Sequence, residues 1–149
     1  MKYLSDYIEE AHTKALNNAG AFFAFSHDQF NRQKKEGIKY TSFGSGLICP
    51  TDKAEELDRE LARIVDDGRA QDMNENGKKG IIHRELANHE CCITHDISDT
   101  AMVLAPYGIM EKEIRAEVDG YLKAYYEWED AQEKQVVYNN RPKGQRRAR

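Results

Sequence analysis

The sequence predicts an α+β fold, a small sheet of about three strands packed by an N-terminal helix and followed by a helical C-terminal half. Apolar residues recur at three- and four-residue spacing near the N-terminus and again across the second half. Between these segments lie short β-prone runs bounded by glycine, within residues 21–49. The 149 residues, 40% of them hydrophobic, fit one domain. That domain is expected over residues 1–138, with a basic, disordered tail at 139–149.

Tyr3, Leu4, Tyr7, Ile8, Ala11, Ala15 and Leu16 give a first amphipathic helix over residues 3–17, stopped by Asn17, Asn18 and Gly20. Ala21–Phe25 is short, aromatic and continuously apolar, which predicts a strand buried on both faces at the centre of the sheet. Ser26 followed by Gln29 is a capping-box pattern, opening a short helix that ends before Gly37. The runs 38–43 and 47–49 flank Gly44-Ser45-Gly46 and predict a hairpin.

Pro50-Thr51-Asp52 opens the next helix, with Thr51 as N-cap, acidic residues in the first turns, and Leu57, Leu61, Ile64 and Val65 as its buried stripe. Asp66-Asp67-Gly68 either ends or thins it, and residues 74–80 (NENGKKG) read as a loop. A helix from Ile81 to about Cys92 places Ile82, Leu86, His89 and Ile93 on one face. Asp96, Ser98 and Asp99 cap a short helix that Pro106-Tyr107-Gly108 breaks. A last helix, roughly residues 110–134, carries Ile114, Val118, Tyr121, Leu122, Tyr125 and Trp128.

The net charge of −4 hides an asymmetry. Five basic and no acidic residues stand in the last nine, leaving −9 on residues 1–140. An acidic body is not the footprint of a nucleic-acid-binding domain, so contact with nucleic acid is expected only through the basic tail. Three cysteines, two of them adjacent, argue against a disulfide framework, and no signal-peptide pattern opens the chain. No apolar run approaches the ~20 residues that span a bilayer. The expectation is a cytoplasmic protein with no membrane partner.

Chemistry concentrates in Ile81–Thr100, which holds three of the five histidines and two of the three cysteines. On a helix Glu85, His89 and Cys92 share a face, and His95 lies just past its end, so these four are the candidate metal ligands of a hydrolase or nuclease. HECCITH matches no established zinc spacing. The alternative keeps His89 as a buried histidine within the apolar stripe and Cys92 as a small core side chain, with His83 solvated on the other side. Asn88, His89 and Glu90 also make a polar site in which Glu85 or Glu90 orients His89. No nucleophile stands in a catalytic context, so no residue is assigned a catalytic role and no cofactor is expected. The Thr51 helix start offers free N–H groups for a nucleotide or other anion. Tyr125 and Trp128 sit among aromatics too numerous for one core face, and Tyr and Trp anchor partner interfaces. The C-terminal helix is therefore also the expected route to self-association.

Three motifs together carry a resemblance: GAFFAFS with Gln29-Phe30, the Gly44–Pro50 turn and strand, and IIHRELANHECCITHDISDT. They resemble a family of small uncharacterised proteins encoded by bacteriophages and mobile elements, over roughly Leu4–Ile114. Its members often follow NHE with tyrosines and TGD, where this chain has Cys91 to Asp96. Only Glu85 and His89 of the metal set then match. The resemblance implies the polar positions Glu85, Asn88, His89 and Glu90 and no activity. The leading functional expectation is a non-enzymatic binding protein that occupies a host protein or a small ligand, of the host-takeover or anti-defence type.

Overall fold

The structure is a computed structural model, and it describes residues 1–139. It is mainly helical with one three-stranded antiparallel sheet, the α+β class that the sequence predicts. The chain gathers into two compact units, Met1–Glu75 and the part from Asn76 onward. The basic tail expected from residue 139 lies, from 140, outside the described residues.

In the first unit, α1 (Leu4–Ala19) ends where Gly20 turns left-handed at φ 71. There the Gly20 N–H donates to Asn17 O and the Ala21 N–H to Leu16 O, the paired bonds of a Schellman stop. Strand β1 is only Phe22–Phe23, α2 is His27–Gln33, β2 is Tyr40–Gly44 and β3 is Leu47–Pro50. The predicted hairpin is β2–β3, joined through Ser45 and Gly46, both at positive φ. That is the type I′ geometry whose twist suits a hairpin. A Cβ on Gly46 would fall closer than 3.0 Å to the Phe25 ring, so this turn needs glycine for space as well as for φ.

Two strand expectations are corrected. The order is β1-β3-β2, so β3 is central and the Ala21–Phe25 run supplies an edge. It is not buried on both faces: Phe23 is 49% and Phe25 74% exposed. The helix start at Ser26 cuts the strand short. Gln29 N–H donates to Ser26 Oγ at 3.2 Å, and Gln29 Oε1 accepts from Phe25 N–H at 2.7 Å, the reciprocal pair of a capping box displaced by one residue. Gln33 Nε2 donates to Phe23 O at 2.8 Å. Gln33 thus occupies an edge carbonyl of β1 that would otherwise be open to another strand, and Gln29 takes up the N–H of Phe25 just past it. Ile38, expected in the strand, precedes it and is exposed.

The core of this unit is Ala15, Cys49, Leu57 and Ile64, with Ile8, Leu16, Ala19, Ala21, Phe43 and Leu61 around it. Phe22, Phe30 and Tyr40 form an aromatic triad beside it, with centroids 5.5–6.2 Å apart. Helix α3 (Thr51–Asn88) runs through Gly68 without a stop. Residues 74–80, expected as a loop, are instead two helical segments that meet at a kink: Gly77 (φ 68, ψ 160) leaves helical geometry and the residues around it are helical. Asn, Glu and Lys cost little in a helix, so polarity alone does not make a loop.

The second unit takes the end of α3, then α4 (Cys91–Thr94), α5 (Ser98–Leu104), a single 3-10 turn at Ala105–Tyr107 and α6 (Glu111–Asn139). Its buried residues include Ile81, Ile82, Leu86, Cys91, Ile97, Leu104, Ile109, Ile114 and Tyr121. Gly108, left-handed at φ 72, ends the 3-10 turn where the Pro-Tyr-Gly break was expected. Among the described residues, no helix is long and apolar enough to cross a membrane.

Candidate functional site

The Ile81–Thr100 stretch is not one helix and a cap. Helix α3 stops at Asn88, because Glu90 adopts a left-handed backbone at φ 52. One turn, α4, follows, and His95 is left-handed again at φ 55. A side chain with a Cβ costs roughly 1–2 kcal/mol in this conformation, so holding two within six residues requires support from their surroundings. The support is visible. Ile93 and Thr94 N–H groups donate to Glu90 O, the His95 N–H to Cys91 O, and Cys91 is fully buried. Asp96 Oδ1 then accepts from both the N–H and the hydroxyl of Ser98. Those two bonds hold the Asp96 carboxyl below the usual carboxylate range and open α5.

The left-handed residue resets the helical phase, which corrects the expectations for Ile93 and Cys92 downstream of it. Ile93 is 71% exposed and does not extend the Ile82–Leu86 stripe. Cys91 takes the core position expected of Cys92, and Cys92 is half-buried. His83, expected in solvent, is half-buried with Nε2 3.0 Å from Glu117 Oε2 and its ring 5.8 Å from that of Tyr121. His83 first, and then Lys79, hold the Glu117 carboxyl below its usual range.

Glu85 and Arg84 are both buried, and Arg84 Nε donates to Glu85 Oε1 at 2.7 Å. Asn88 Nδ2 donates to Glu85 Oε2 at 3.2 Å, and His89 Nε2 lies 3.9 Å from the same oxygen, beyond hydrogen-bond range. Thr100, fully buried, donates its hydroxyl to Glu85 O. The carboxylate is thus bonded from the protein on both oxygens, as a buried charge requires. Arg84 was missed in the sequence because adjacent helical residues do not normally face each other.

Asn88 and Glu90 are exposed and His89 is half-buried, so these three present polar groups at the end of α3. The structure brings Glu85, Asn88 and His89 together. Cys92 and His95 do not join them as ligands: His95 is exposed beyond α4, and among the described residues no three His, Cys, Asp or Glu side chains are grouped to hold a metal ion.

Instead Cys92 meets the aromatic face of α6. Tyr126 donates its hydroxyl to Cys92 O at 3.5 Å. The Tyr121 hydroxyl is pushed up to about 12, mainly by burial and then by its bond with Cys92. That of Tyr125 is raised by its bond with Cys92 and by the charge of Glu129. Ring centroids run Tyr121–Tyr125 6.4 Å, Tyr125–Tyr126 5.6 Å and Tyr125–Trp128 6.1 Å, with Tyr126 and Trp128 largely exposed. The α4 turn therefore places an aromatic surface within two residues of the polar group at Asn88–Glu90.

In the first unit, Thr51 at the helix start has partners of its own. Its N–H donates to Lys39 O, and its hydroxyl lies 2.9 Å from that of Thr41. A groove of about 650 Å³ between α1 and α3 includes Lys14, Lys53, Arg59 and Arg63 over alanines and Leu57. Lys53, Arg59 and Arg63 are paired there with Glu56, Glu55 and Glu60.

In comparison with known protein families, the model of a family of unknown function (DUF7659) matches residues 4–128. No curated protein and no solved structure matches the chain.

Proposed function

We propose that this chain, which belongs to the family of unknown function DUF7659, is a non-enzymatic binding protein that occupies a host protein through the α4–α6 surface. The observation that supports it is the α4 turn. Left-handed non-glycine residues stand at both of its ends, directly after Asn88 and His89, and Cys92 within it meets Tyr126, whose ring packs against Tyr125 and through it Trp128. Strain of this kind is kept where a defined surface is needed, and Tyr and Trp are the favoured anchors of protein interfaces. Glu85, bonded on both oxygens, positions this surface from beneath.

The motifs shared with small bacteriophage and mobile-element proteins support an origin of that kind. The acidic body suits a cytoplasmic protein that competes for a host partner, as anti-defence and host-takeover proteins do. The immobilised chain should retain a defined host protein from bacterial lysate, and Trp128→Ala and Tyr126→Ala should lose it while circular dichroism and thermal midpoint stay unchanged. Equal retention by wild type and both variants refutes the assignment of this surface. Stoichiometric zinc in the purified protein, lost in His89→Ala, would replace the reading with the metal-assisted hydrolase built on Glu85, His89, Cys92 and His95.

A further inference from the structure

At the β1 edge of the first unit's sheet, Phe23 and Phe25 are both exposed, and their rings stack on each other with centroids 6.2 Å apart and planes 11° from parallel. The pair is held in place. The Ala24 N–H between them donates to Gly46 O at 2.8 Å, and the Phe25 ring lies against the bare Cα of Gly46. The backbone groups beside the rings are taken, Phe23 O by Gln33 and the Phe25 N–H by Gln29, so a strand has little to pair with. What this edge presents to a partner is ring surface.

The charge around the rings selects the partner. Residues 27–39 hold Arg32, Lys34, Lys35 and Lys39 against Asp28 and Glu36, a local excess of positive charge in a body that carries −9 over residues 1–140. All four bases are exposed, and none has an ion-pair partner among the described residues. Along α3, by contrast, Lys53, Arg59, Arg63 and Arg69 each meet an acid within four residues of their own position. Arg32 and Lys34 flank Gln33, the residue that reaches Phe23 O, so the uncompensated charge begins next to the strand that carries the rings. Lys34 Nζ also stands 5.7 Å from the centroid of the Phe30 ring, a contact that leaves its charge unneutralised.

We infer that the β1–α2 edge is a binding surface for single-stranded nucleic acid. Phe23 and Phe25 stack on unpaired bases, and Arg32, Lys34, Lys35 and Lys39 neutralise the phosphates that link them. Aromatic stacking accepts any base and needs it out of a duplex, so the surface selects single strands and not a sequence. The net negative charge that argues against a nucleic-acid-binding body is a sum over the chain, whereas a strand meets the local field. The surface belongs to the first unit and is separate from the α4–α6 surface of the host contact.

Fluorescence anisotropy of the full chain with a labelled oligothymidylate of about 15 nucleotides tests it. Binding is expected at about 50 mM salt and should weaken steeply toward about 200 mM. Phe23→Ala and Phe25→Leu, both at exposed positions, should each weaken it at least about fivefold with the salt slope unchanged, because the cations remain. Lys34→Ala/Lys35→Ala should instead make the slope of log K against log salt shallower by about 1.4, two phosphate contacts at about 0.7 each. Unchanged circular dichroism and thermal midpoint show that the variants stay folded. Phe25→Leu keeps apolar volume and loses the stacking plane, which separates base stacking from insertion into a lipid surface. No oligothymidylate binding at low salt, or an affinity that both phenylalanine variants keep, as contact through residues 141–149 alone would give, overturns the inference. So does a duplex of the same length that competes equally well, or binding to vesicles of equimolar phosphatidylglycerol and phosphatidylcholine in place of the oligonucleotide.

Discussion

Replacing Gly68 with alanine sets two effects of opposite sign against each other. In an exposed helix interior the change stabilises by about 1 kcal/mol, because alanine has the better helix propensity. Gly68 is not at such a place. A Cβ there would lie closer than 3.0 Å to Ile8 Cγ2, 3.3 Å from Leu4 Cδ1 and 3.8 Å from Tyr7 Cβ, so α1 approaches α3 against the bare glycine. The methyl of Ile8 hangs from a branched Cβ with little rotamer freedom, and it cannot swing aside as a lysine end would. Overpacking of this sort costs up to about 3 kcal/mol, which leaves a net loss of about 2 kcal/mol after the propensity gain. At about 2–4 °C per kcal/mol for a chain of this size, the thermal midpoint should fall by roughly 4–8 °C. Urea unfolding followed by circular dichroism measures the loss. The double variant Gly68→Ala/Ile8→Ala should be more stable than additivity predicts by about 1 kcal/mol or more, because the methyl that clashes is gone. A Gly68→Ala protein as stable as wild type, or a coupling within about 0.3 kcal/mol of zero, would refute the close approach of α1 to α3.

Three further outcomes follow from local chemistry. The Tyr121 hydroxyl, pushed up to about 12 from 10, stabilises the fold in full below pH 10. That contribution is lost as pH rises through 12, about 2–3 kcal/mol over the window, and urea unfolding of Tyr121→Phe should lack the slope. Ser26→Ala removes the N-cap of α2 and should cost about 1 kcal/mol in urea unfolding, with no change in the α6 aromatic signals. Removing the imidazole in His83→Ala should raise the Glu117 carboxyl toward its ordinary value in a carbon-detected NMR titration. In wild type the lowered Glu117 contributes stability above the ordinary carboxylate range, and that stability fades as pH falls through its folded value. A Glu117 titration unchanged by the substitution would remove His83 as its partner.

The features legible in the sequence are those fixed within a few residues. Gly20 ends α1, Ser26 and Gln29 open α2, Gly44-Ser45-Gly46 turns the hairpin, and Pro106-Tyr107-Gly108 separates α5 from α6, each by its own backbone chemistry. What was not legible depends on partners far along the chain. Phe22–Phe23 lies at an edge because β3 pairs on both its sides, a choice made by residues 40–50 and not by AFFAF itself. Residues 74–80 hold the end of one helix and the start of the next, and only Gly77 between them leaves helical geometry.

The candidate site shows the same division at the scale of single residues. Periodicity placed Glu85 and His89 on one face, and they are on one face, 3.9 Å apart. It then carried the phase on to Cys92 and Ile93, and there it failed, because Glu90 turns left-handed and no local pattern announces a non-glycine residue in that conformation. The reset also separates the roles within ELANHE. Glu85, taken up by Arg84 and Asn88, is held inside the fold, while His89 is half-buried and Glu90 faces solvent, two residues before Cys92, whose carbonyl accepts from Tyr126. A partner that reads this surface therefore meets the histidine, the second glutamate and the aromatics. Substituting Glu85 would disturb it only by way of the fold.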